Sequence, residues 1–258
     1  MFVKSVNLWE NAPGMCEETP VLDIYIPEKK TSDVAVVCCP GGAYRGRAAH
    51  EGKGYAEFLN SHGVTAFVCQ YRVAPHRFPL QLLDARRAMR YVRYHSEEFG
   101  IDKNKVYIMG SSAGGHLAAL TSTYHKPIDF EGMDEIDKQD HMPNGQILCY
   151  PVISLLDESF AHAGSGENLL GDKKQALGDE LSPNLIADET TPKAFIWHTF
   201  DDEGVNVINS LQYATRLRQV NVSAELHVYP HGRHGLGLAA DVPHVRNWTQ
   251  ELLEWLDM

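Results

Sequence analysis

The sequence predicts an α/β fold in which a mostly parallel central sheet is flanked by helices on both faces. Apolar runs of strand length alternate with segments of helix length along the 258 residues, and this alternation is typical of parallel strands joined by crossover helices. The run 34–39 is continuously apolar, as expected of a strand that is covered on both faces. The length suits one large α/β domain, so we predict a single domain over residues 1–258.

The predicted elements follow from hydrophobic periodicity and from turn residues at their ends. The strands cover 21–27, near an edge of the sheet, and 34–39, 64–71, 105–109, 146–151, 194–198 and 224–229. The helices cover 52–63, 79–99, 116–122, 206–220 and 242–256. The helix over 79–99 is amphipathic, because its apolar residues share one face and four arginines, Arg86, Arg87, Arg90 and Arg93, lie opposite.

Two stretches show little periodicity and are predicted to be irregular insertions. Residues near 126–145 are acidic and rich in turn residues, which favours an insertion over the top of the sheet. Residues 157–191 carry several glycines and a proline, and loops of this length usually have a function. We expect both insertions to wall a functional site.

Composition narrows the classes of partner and compartment. The net charge of −11 argues against nucleic acid and anionic membranes as partners. No apolar run approaches the roughly 20 residues of a membrane helix, and residues 1–10 lack the pattern of a signal peptide. Four of the five cysteines lie in apolar runs and none forms a Cys-x-x-Cys pair, which indicates free thiols in a reducing cytoplasm.

The motif Gly110-Ser111-Ser112-Ala113-Gly114 lies between a predicted strand and a predicted helix. Glycines at both ends allow the backbone of such a turn to approach its neighbours closely. Ser112 stands at the apex, where the amino terminus of a helix favours a developing negative charge. This context indicates that Ser112 is a nucleophile.

A serine nucleophile needs a base to take its proton and an acid to orient that base. Candidate acids, Asp201 and Asp202, follow the strand 194–198, and candidate bases, His231 and His234, follow the strand 224–229. The chain order is therefore serine, aspartate, histidine. Carboxyl ends of parallel strands meet at one edge of a sheet, where these groups can come together.

Nearly the whole chain resembles the α/β-hydrolase esterases, in particular the acetyl esterase and acetylxylan-esterase-like branch near the hormone-sensitive lipase group. Relative to that branch, Pro40 replaces a histidine, Ala43 replaces a glycine and Ser111 replaces an acidic residue. The segments that carry the resemblance are Pro40-Gly41-Gly42-Ala43-Tyr44, Tyr71-Arg72-Val73-Ala74-Pro75 with Phe78, Pro79 and Asp84, Gly110-Ser111-Ser112-Ala113-Gly114-Gly115-His116-Leu117-Ala118, 198–205 and 231–235.

The resemblance implies the roles of the site residues. Ser112 is the expected nucleophile and His234 the expected base. His231 is expected to be a surface residue on other grounds, because a histidine in a glycine-rich loop usually is one. Counting from His198 in the family's block selects Asp202 over Asp201 as the acid. The backbone N–H groups of Gly42, Ala43 and Ala113 are expected to bind the oxyanion.

The sequence also predicts a substrate contact for one further residue and structural roles for three others. Bulky Tyr44 is expected to contact the substrate and to keep the acyl pocket small. A structural hydrogen bond is expected for His116, and a buried ion pair for Arg72 and Asp84. No metal and no organic cofactor is expected.

The function implied is hydrolysis of carboxylic esters with short acyl groups, above all acetyl, on a carbohydrate such as xylan or xylo-oligosaccharide. The expected partner is this small ester; a homo-oligomer is left open. Two alternatives remain. One is an amide hydrolase of the same fold, resembling an arylformamidase or a peptidase, and the other is a degenerate hydrolase that serves as a binding module.

Overall fold

The strands and helices belong to a computed structural model that describes residues 1–14, 19–130 and 133–256; Cys16 lies outside them. The described strands are β1 (Phe2–Asn7), β2 (Val21–Tyr25), β3 (Ala35–Cys39), β4 (Thr65–Gln70), β5 (Val106–Ser111), β6 (Gln146–Cys149), β7 (Ala194–Thr199) and β8 (Ala224–Tyr229). The described helices are α1 (Ala49–Ser61), α2 (Leu80–Tyr94), α3 (Ser96–Phe99), α4 (Ala113–Thr123), α5 (Ala163–Leu170), α6 (Lys174–Leu177), α7 (Pro183–Ile186), α8 (Ile208–Gln219), α9 (Pro243–Arg246) and α10 (Trp248–Trp255).

The described strands form one sheet in the order β1-β2-β4-β3-β5-β6-β7-β8. The strands from β4 to β8 along this order run parallel, whereas β1 and β2 pair antiparallel at one edge. Parallel neighbours need crossover connections, which are supplied by helices such as α1, α2, α4 and α8. The predicted fold class is therefore confirmed, and the carboxyl ends of β5, β7 and β8 lie at the same edge.

Alternation of side chains along β3 divides the core between the two faces of the sheet. All five residues of this strand are buried, which explains the unbroken apolar run. Val36 and Cys38 belong to the cluster that includes Tyr55 of α1 and Trp248 of α10. On the opposite face, Val37 belongs to the cluster that includes residues of α2 and α4. Helices thus cover both faces, as predicted.

Among the described strands, β1 is the one without a sequence prediction. It pairs with β2 through Ser5 opposite Asp23 and Val6 opposite Leu22. Most of its residues are exposed, so the chain has no buried face there to impose an alternating pattern. The prediction that β2 lies near an edge is confirmed, because β2 is the second strand of the sheet and β1 is the edge strand beside it.

The arginine-bearing face of α2 is covered by protein instead of solvent. Arg87 is nearly buried, and its guanidinium lies 2.6 Å from Asp134 and 2.9 Å from Asp137. Arg90 Nε donates to the carbonyl of Gln139 at 3.0 Å. Residues 134–139 therefore lie along α2, and the expectation that the insertion near 126–145 walls the functional site stays a prediction.

The segment 157–191 contains helices α5, α6 and α7, whereas the sequence predicted an irregular stretch. These helices have eight, four and four residues, too short to give a clear periodic pattern. The long helix predicted over 79–99 divides into α2 and α3 at His95. Within the described residues, no helix is long and apolar enough to cross a membrane.

Candidate active site

Ser112 occupies the turn between β5 and α4 with a left-handed backbone, φ 53° and ψ −122°. This conformation is uncommon for residues other than glycine and must be held by its surroundings. The N–H of Ser112 donates to the carbonyl of Cys149 at 3.0 Å, and its own carbonyl accepts from Val152 at 3.0 Å. A Cβ atom at Gly114 would lie 2.0 Å from the carbonyl oxygen of Cys39. Glycine is therefore required for this close turn.

His234 and Asp202 approach Ser112 from the ends of two neighbouring strands. Asp202 follows β7 and His234 follows β8. The Oγ atom of Ser112 lies 2.9 Å from Nε2 of His234, and Nδ1 of His234 lies 2.8 Å from Oδ2 of Asp202. A carboxylate accepts hydrogen bonds, so Nδ1 carries a proton and Nε2 of the neutral ring can accept one. The structure thus brings these three predicted residues together.

The Asp202 carboxylate is buried and held by several donors. Its Oδ1 accepts from the N–H groups of Gly204 at 2.8 Å and Val205 at 2.9 Å, and His198 Nε2 lies 3.4 Å from Oδ2. Burial raises the pKa of this acid, but hydrogen bonds from His198, His234 and the Val205 N–H outweigh burial and hold the pKa well below its ordinary value. Asp202 is therefore ionised at neutral and mildly acidic pH.

Asp201, the adjacent carboxylate, faces a different histidine. Its Oδ2 lies 2.9 Å from Nδ1 of His231, and its Oδ1 accepts from the N–H of Gly232 at 2.8 Å. The His231 side chain is 85% exposed, which agrees with a surface position. The two neighbouring carboxylates thus point in different directions, and the one that reaches the partner of Ser112 is Asp202.

The loop that follows β3, residues 41–44, has a left-handed backbone at three consecutive positions. The φ angles are 135° at Gly42, 53° at Ala43 and 57° at Tyr44. Asn168 of α5 donates to the carbonyl of Ala43 at 2.9 Å, and the N–H of Ala74 donates to the carbonyl of Tyr44 at 2.7 Å. These anchors hold a backbone that would be strained in isolation.

Backbone N–H groups are available in this loop and at the start of α4. In the part of the chain that the structure describes, the N–H groups of Gly42 and Ala43 donate no hydrogen bond. Ala113 is the first residue of α4, and N–H groups in the first turn of a helix have no partner within it. All three predicted oxyanion donors are therefore free to bind a ligand.

Tyr44 is placed differently from its prediction. Its side chain is fully buried, and its hydroxyl lies 2.7 Å from Nδ1 of His116. His116 Nε2 in turn lies 2.8 Å from the carbonyl of Leu181. The Tyr44 side chain therefore has no free surface for a substrate, contrary to the expectation. His116 makes the kind of structural hydrogen bond that was predicted.

A cavity of 470 Å³ opens beside His234. Its walls are polar and carry charges of both signs. The residues that line it are Asp201, Glu203, Gly204, Gly232, Arg233 and His234. Such a lining favours a hydrophilic ligand over an apolar one.

Sequence reasoning missed two polar residues beneath the site, Glu51 and Tyr150. Glu51 lies in the first turn of α1 and is 3% exposed. An acidic residue in that position is ordinarily an exposed stabiliser of the helix dipole, so its sequence context gives no signal of another role. Tyr150 follows β6, and its hydroxyl donates to Glu51 at 2.7 Å.

One group of side chains in the described residues could hold a metal ion. Ligand atoms of Glu225, His227 and Glu251 lie within 4.8 Å of one another. Glu225 and His227 are in β8, and Glu251 is in α10. Ser112, Asp202 and His234 do not belong to this group.

Comparison with known proteins reveals the relatives of the chain. The BD-FAE family matches residues 22–217. An acetylxylan esterase from Xylanibacter ruminicola is 33% identical over 238 residues, which are 90% of this chain and 47% of that protein. Endo-1,4-beta-xylanase B from Butyrivibrio fibrisolvens is 32% identical over 248 residues, which are 91% of this chain and 38% of that protein. The chain spans less than half the length of either relative.

Solved structures of similar chains extend this result to the whole fold. An acetyl ester-xyloside bifunctional hydrolase from Caldicellulosiruptor lactoaceticus has a TM-score of 0.92 and is 42% identical, covering 98% of this chain and 95% of that chain. A sugar hydrolase from Lactococcus lactis has a TM-score of 0.75 and is 27% identical, covering 95% and 96%. The chain therefore belongs to the BD-FAE family, within the esterase branch of the α/β-hydrolases.

Proposed function

We propose that this chain is a serine carboxylic-ester hydrolase that removes short acyl groups, above all acetyl, from acetylated carbohydrate such as xylan or xylo-oligosaccharide. The observation that carries the proposal is the hydrogen-bonded series from Ser112 through His234 to Asp202, with distances of 2.9 and 2.8 Å. These are the separations at which a base can take the proton of a nucleophile and an acid can orient that base.

In the proposed reaction, Ser112 Oγ attacks the ester carbonyl carbon while His234 Nε2 takes its proton. Ionised Asp202 keeps the Nδ1 proton in place and stabilises the imidazolium. His234 then gives its proton to the oxygen of the leaving alcohol, and the acyl group stays on Ser112. A water molecule attacks the acyl carbon while His234 Nε2 takes its proton. The bond between that carbon and Ser112 Oγ then breaks, His234 gives the proton to Oγ, and the carboxylic acid leaves.

We assign the stabilisation of the oxyanion to the N–H groups of Gly42, Ala43 and Ala113. Ala113 stands at the positive end of the α4 dipole. The anchored backbone of the loop 41–44 supports the assignment, because donors that are fixed in advance need no reorganisation during the reaction. Loss of one such donor typically reduces kcat by about 10²–10³-fold.

Three observations support the substrate class. The segment 157–191, which we propose as one wall of the site, contacts the carbonyl of Ala43 through Asn168. The cavity beside His234 is lined by Asp201, Glu203 and Arg233, which suit the hydroxyl groups of a sugar. The relatives include an acetylxylan esterase and an acetyl ester-xyloside hydrolase, which supports acetyl as the acyl group and xylose as the sugar.

The test is hydrolysis of p-nitrophenyl esters from acetyl to octanoyl, of acetylated xylo-oligosaccharide and of N-formylkynurenine, with Ser112→Ala as the control. We expect the acetyl ester to have the highest kcat/KM, since each methylene is worth about 1–3 kcal/mol in a fitted pocket. A preference for octanoyl would contradict the short-acyl pocket. Faster hydrolysis of N-formylkynurenine would favour the amide hydrolase, and no difference from Ser112→Ala would favour a binding module.

The compartment and the domain organisation remain predictions. Cys38, Cys39, Cys69 and Cys149 are buried free thiols, which supports a reducing compartment such as the cytoplasm. The single domain is supported by one sheet that collects all described strands. Cell fractionation would test the first prediction, and limited proteolysis would test the second.

A further inference from the structure

The Glu51 carboxylate is buried between the loop 41–44 and the loop that carries His234. Its Oε2 accepts from the N–H of Gly41 at 2.8 Å, and its Oε1 accepts from the hydroxyl of Tyr150 at 2.7 Å. Burying a carboxylate is unfavourable unless its oxygens are hydrogen-bonded. Each oxygen here has its own donor, and the two donors belong to different parts of the site.

On one side, Gly41 lies in contact with both Glu51 and Ser112. A Cβ atom at this position would lie 2.5 Å from Oε2 of Glu51 and 3.0 Å from Cβ of Ser112. The peptide of Gly41 is therefore fixed against the serine by the carboxylate. The next two residues of the loop, Gly42 and Ala43, carry the proposed oxyanion donors, so their directions depend on this anchor.

On the other side, Tyr150 reaches the loop that follows β8. Its hydroxyl oxygen accepts from the N–H of Gly237 at 2.9 Å. Its ring stands edge-on to the imidazole of His234, with a centroid distance of 5.1 Å and an interplanar angle of 74°. Burial raises the pKa of Tyr150 well above its ordinary value, so the hydroxyl stays protonated. It therefore donates a hydrogen bond to Glu51.

We infer that Glu51 and Tyr150 are positioning residues that hold the oxyanion donors and the base in fixed positions relative to each other. The inference rests on the proposed function of Ser112, and neither residue touches the reacting atoms. Gly41 and Gly237 are far apart in the sequence, and Glu51 and Tyr150 join them through hydrogen bonds alone. A purely structural role would affect stability without a selective effect on turnover.

The first test measures kcat and KM for p-nitrophenyl acetate with Glu51→Gln and Tyr150→Phe. Tyr213→Phe is the matched control, because Tyr213 is also buried and its hydroxyl donates to Gln146 at 3.0 Å. We expect kcat to fall about 10–100-fold in the two site variants, with KM changed by less than about threefold, since misplaced groups lose rate more than binding. Tyr213→Phe should change kcat by less than about twofold.

The second test is the double variant Glu51→Gln with Tyr150→Phe. If both residues act through one contact, the double variant should have a kcat within about threefold of the worse single variant. Losses that multiply would show that the residues act independently and would overturn the inference.

The third test is hydrogen–deuterium exchange, which does not depend on activity. In Tyr150→Phe the N–H of Gly41 keeps its own acceptor, so faster exchange in 40–47 as well as in 234–239 would report the link between the loops. Tyr213→Phe should leave both segments unchanged. Faster exchange confined to 234–239 would refute the link. Inactivity of the wild-type protein towards all esters would refute the proposed function, but the exchange data would still decide whether the two loops are linked.

Discussion

Oδ2 of Asp202 lies 2.8 Å from Nδ1 of His234, although an adjacent carboxylate, Asp201, is available in the same turn. Two backbone N–H groups donate to the other oxygen of Asp202, Oδ1. Nε2 of His198 lies 3.4 Å from Oδ2. These donors fix which carboxylate faces the imidazole. The geometry therefore separates two residues that composition alone cannot distinguish.

We predict that Asp202→Asn reduces kcat on p-nitrophenyl acetate by up to about 10⁴-fold, because the amide no longer enforces the tautomer of His234 or stabilises its imidazolium. Asp201→Asn is the matched control, with the same chemical change one residue away. It should leave kcat within about tenfold of wild type, a difference of about 1.4 kcal/mol or less. The opposite pattern would identify Asp201 as the acid.

Ser111 and Ser112 offer a second pair of neighbours. Ser111 is fully buried and lies 2.8 Å from the hydroxyl of Tyr55, whereas Ser112 Oγ lies 2.9 Å from His234. We expect an aryl phosphonate to label Ser112, as peptide mass spectrometry would show. Ser112→Ala should abolish labelling and turnover, and Ser111→Ala should keep both. A label on Ser111 would contradict the assignment.

The buried contact of Tyr44 with His116 makes stability dependent on pH. The Leu181 carbonyl fixes the Nε2 proton of His116, so Nδ1 accepts from Tyr44 in the neutral ring. Burial lowers the pKa of His116 from 6.5 to about 4. Between these values the unfolded chain binds more protons than the folded one, so the free energy of unfolding should fall as pH falls, by up to roughly 3 kcal/mol. Below the folded pKa this contribution stays constant.

Chemical denaturation of wild type and His116→Asn over about pH 7 to about pH 4 tests this prediction. Removing the imidazole removes its titration, so the free energies of unfolding of the two proteins should converge as the pH falls. His141, whose pKa is also lowered by burial, to about 3, is present in both proteins and cancels in the difference. Parallel curves would show that His116 does not titrate as described.

The fold was predictable where burial imposes a pattern. The strand β3 is covered on both faces and is visible as an apolar run, whereas exposed β1 carries no such pattern. The apolar face of α2 was also visible. The covering of its arginine face was not predictable, because nothing local indicates that Asp134 and Asp137, 47 and 50 residues away from Arg87, fold back onto it.

The candidate site was predictable where local motifs follow strand ends, as at Ser112, Asp202 and His234. The Tyr44 side chain was not, because its direction depends on a left-handed backbone, φ 57°, that an ordinary residue rarely adopts. Glu51 and Tyr150 are 99 residues apart. Their hydrogen bond depends on tertiary packing, for which a single sequence has no local signal.

Arg72 and Asp84 form an ion pair that the sequence already favoured as structural. Both side chains are fully buried, with Nη2 of Arg72 2.7 Å from Oδ1 of Asp84 and Nε 2.9 Å from Oδ2. Trp9 also donates to this carboxylate, at 3.2 Å. Burial raises the pKa of Asp84, although the bonds from Arg72 oppose that rise. Neither side chain is accessible to a substrate.

We predict that Asp84→Asn lowers the free energy of unfolding by about 3–5 kcal/mol, because it removes the carboxylate from a fully buried ion pair with Arg72. Urea denaturation measures this loss, and kcat/KM of the remaining folded protein should be close to that of wild type. Asp33→Asn is the control, because Asp33 pairs with Lys105 at 3.0 Å with about half of each side chain exposed, and solvent screening makes such pairs weak. It should leave stability nearly unchanged. If Asp84→Asn instead lost ester turnover at unchanged stability, the pair would act on the substrate and its structural assignment would be wrong.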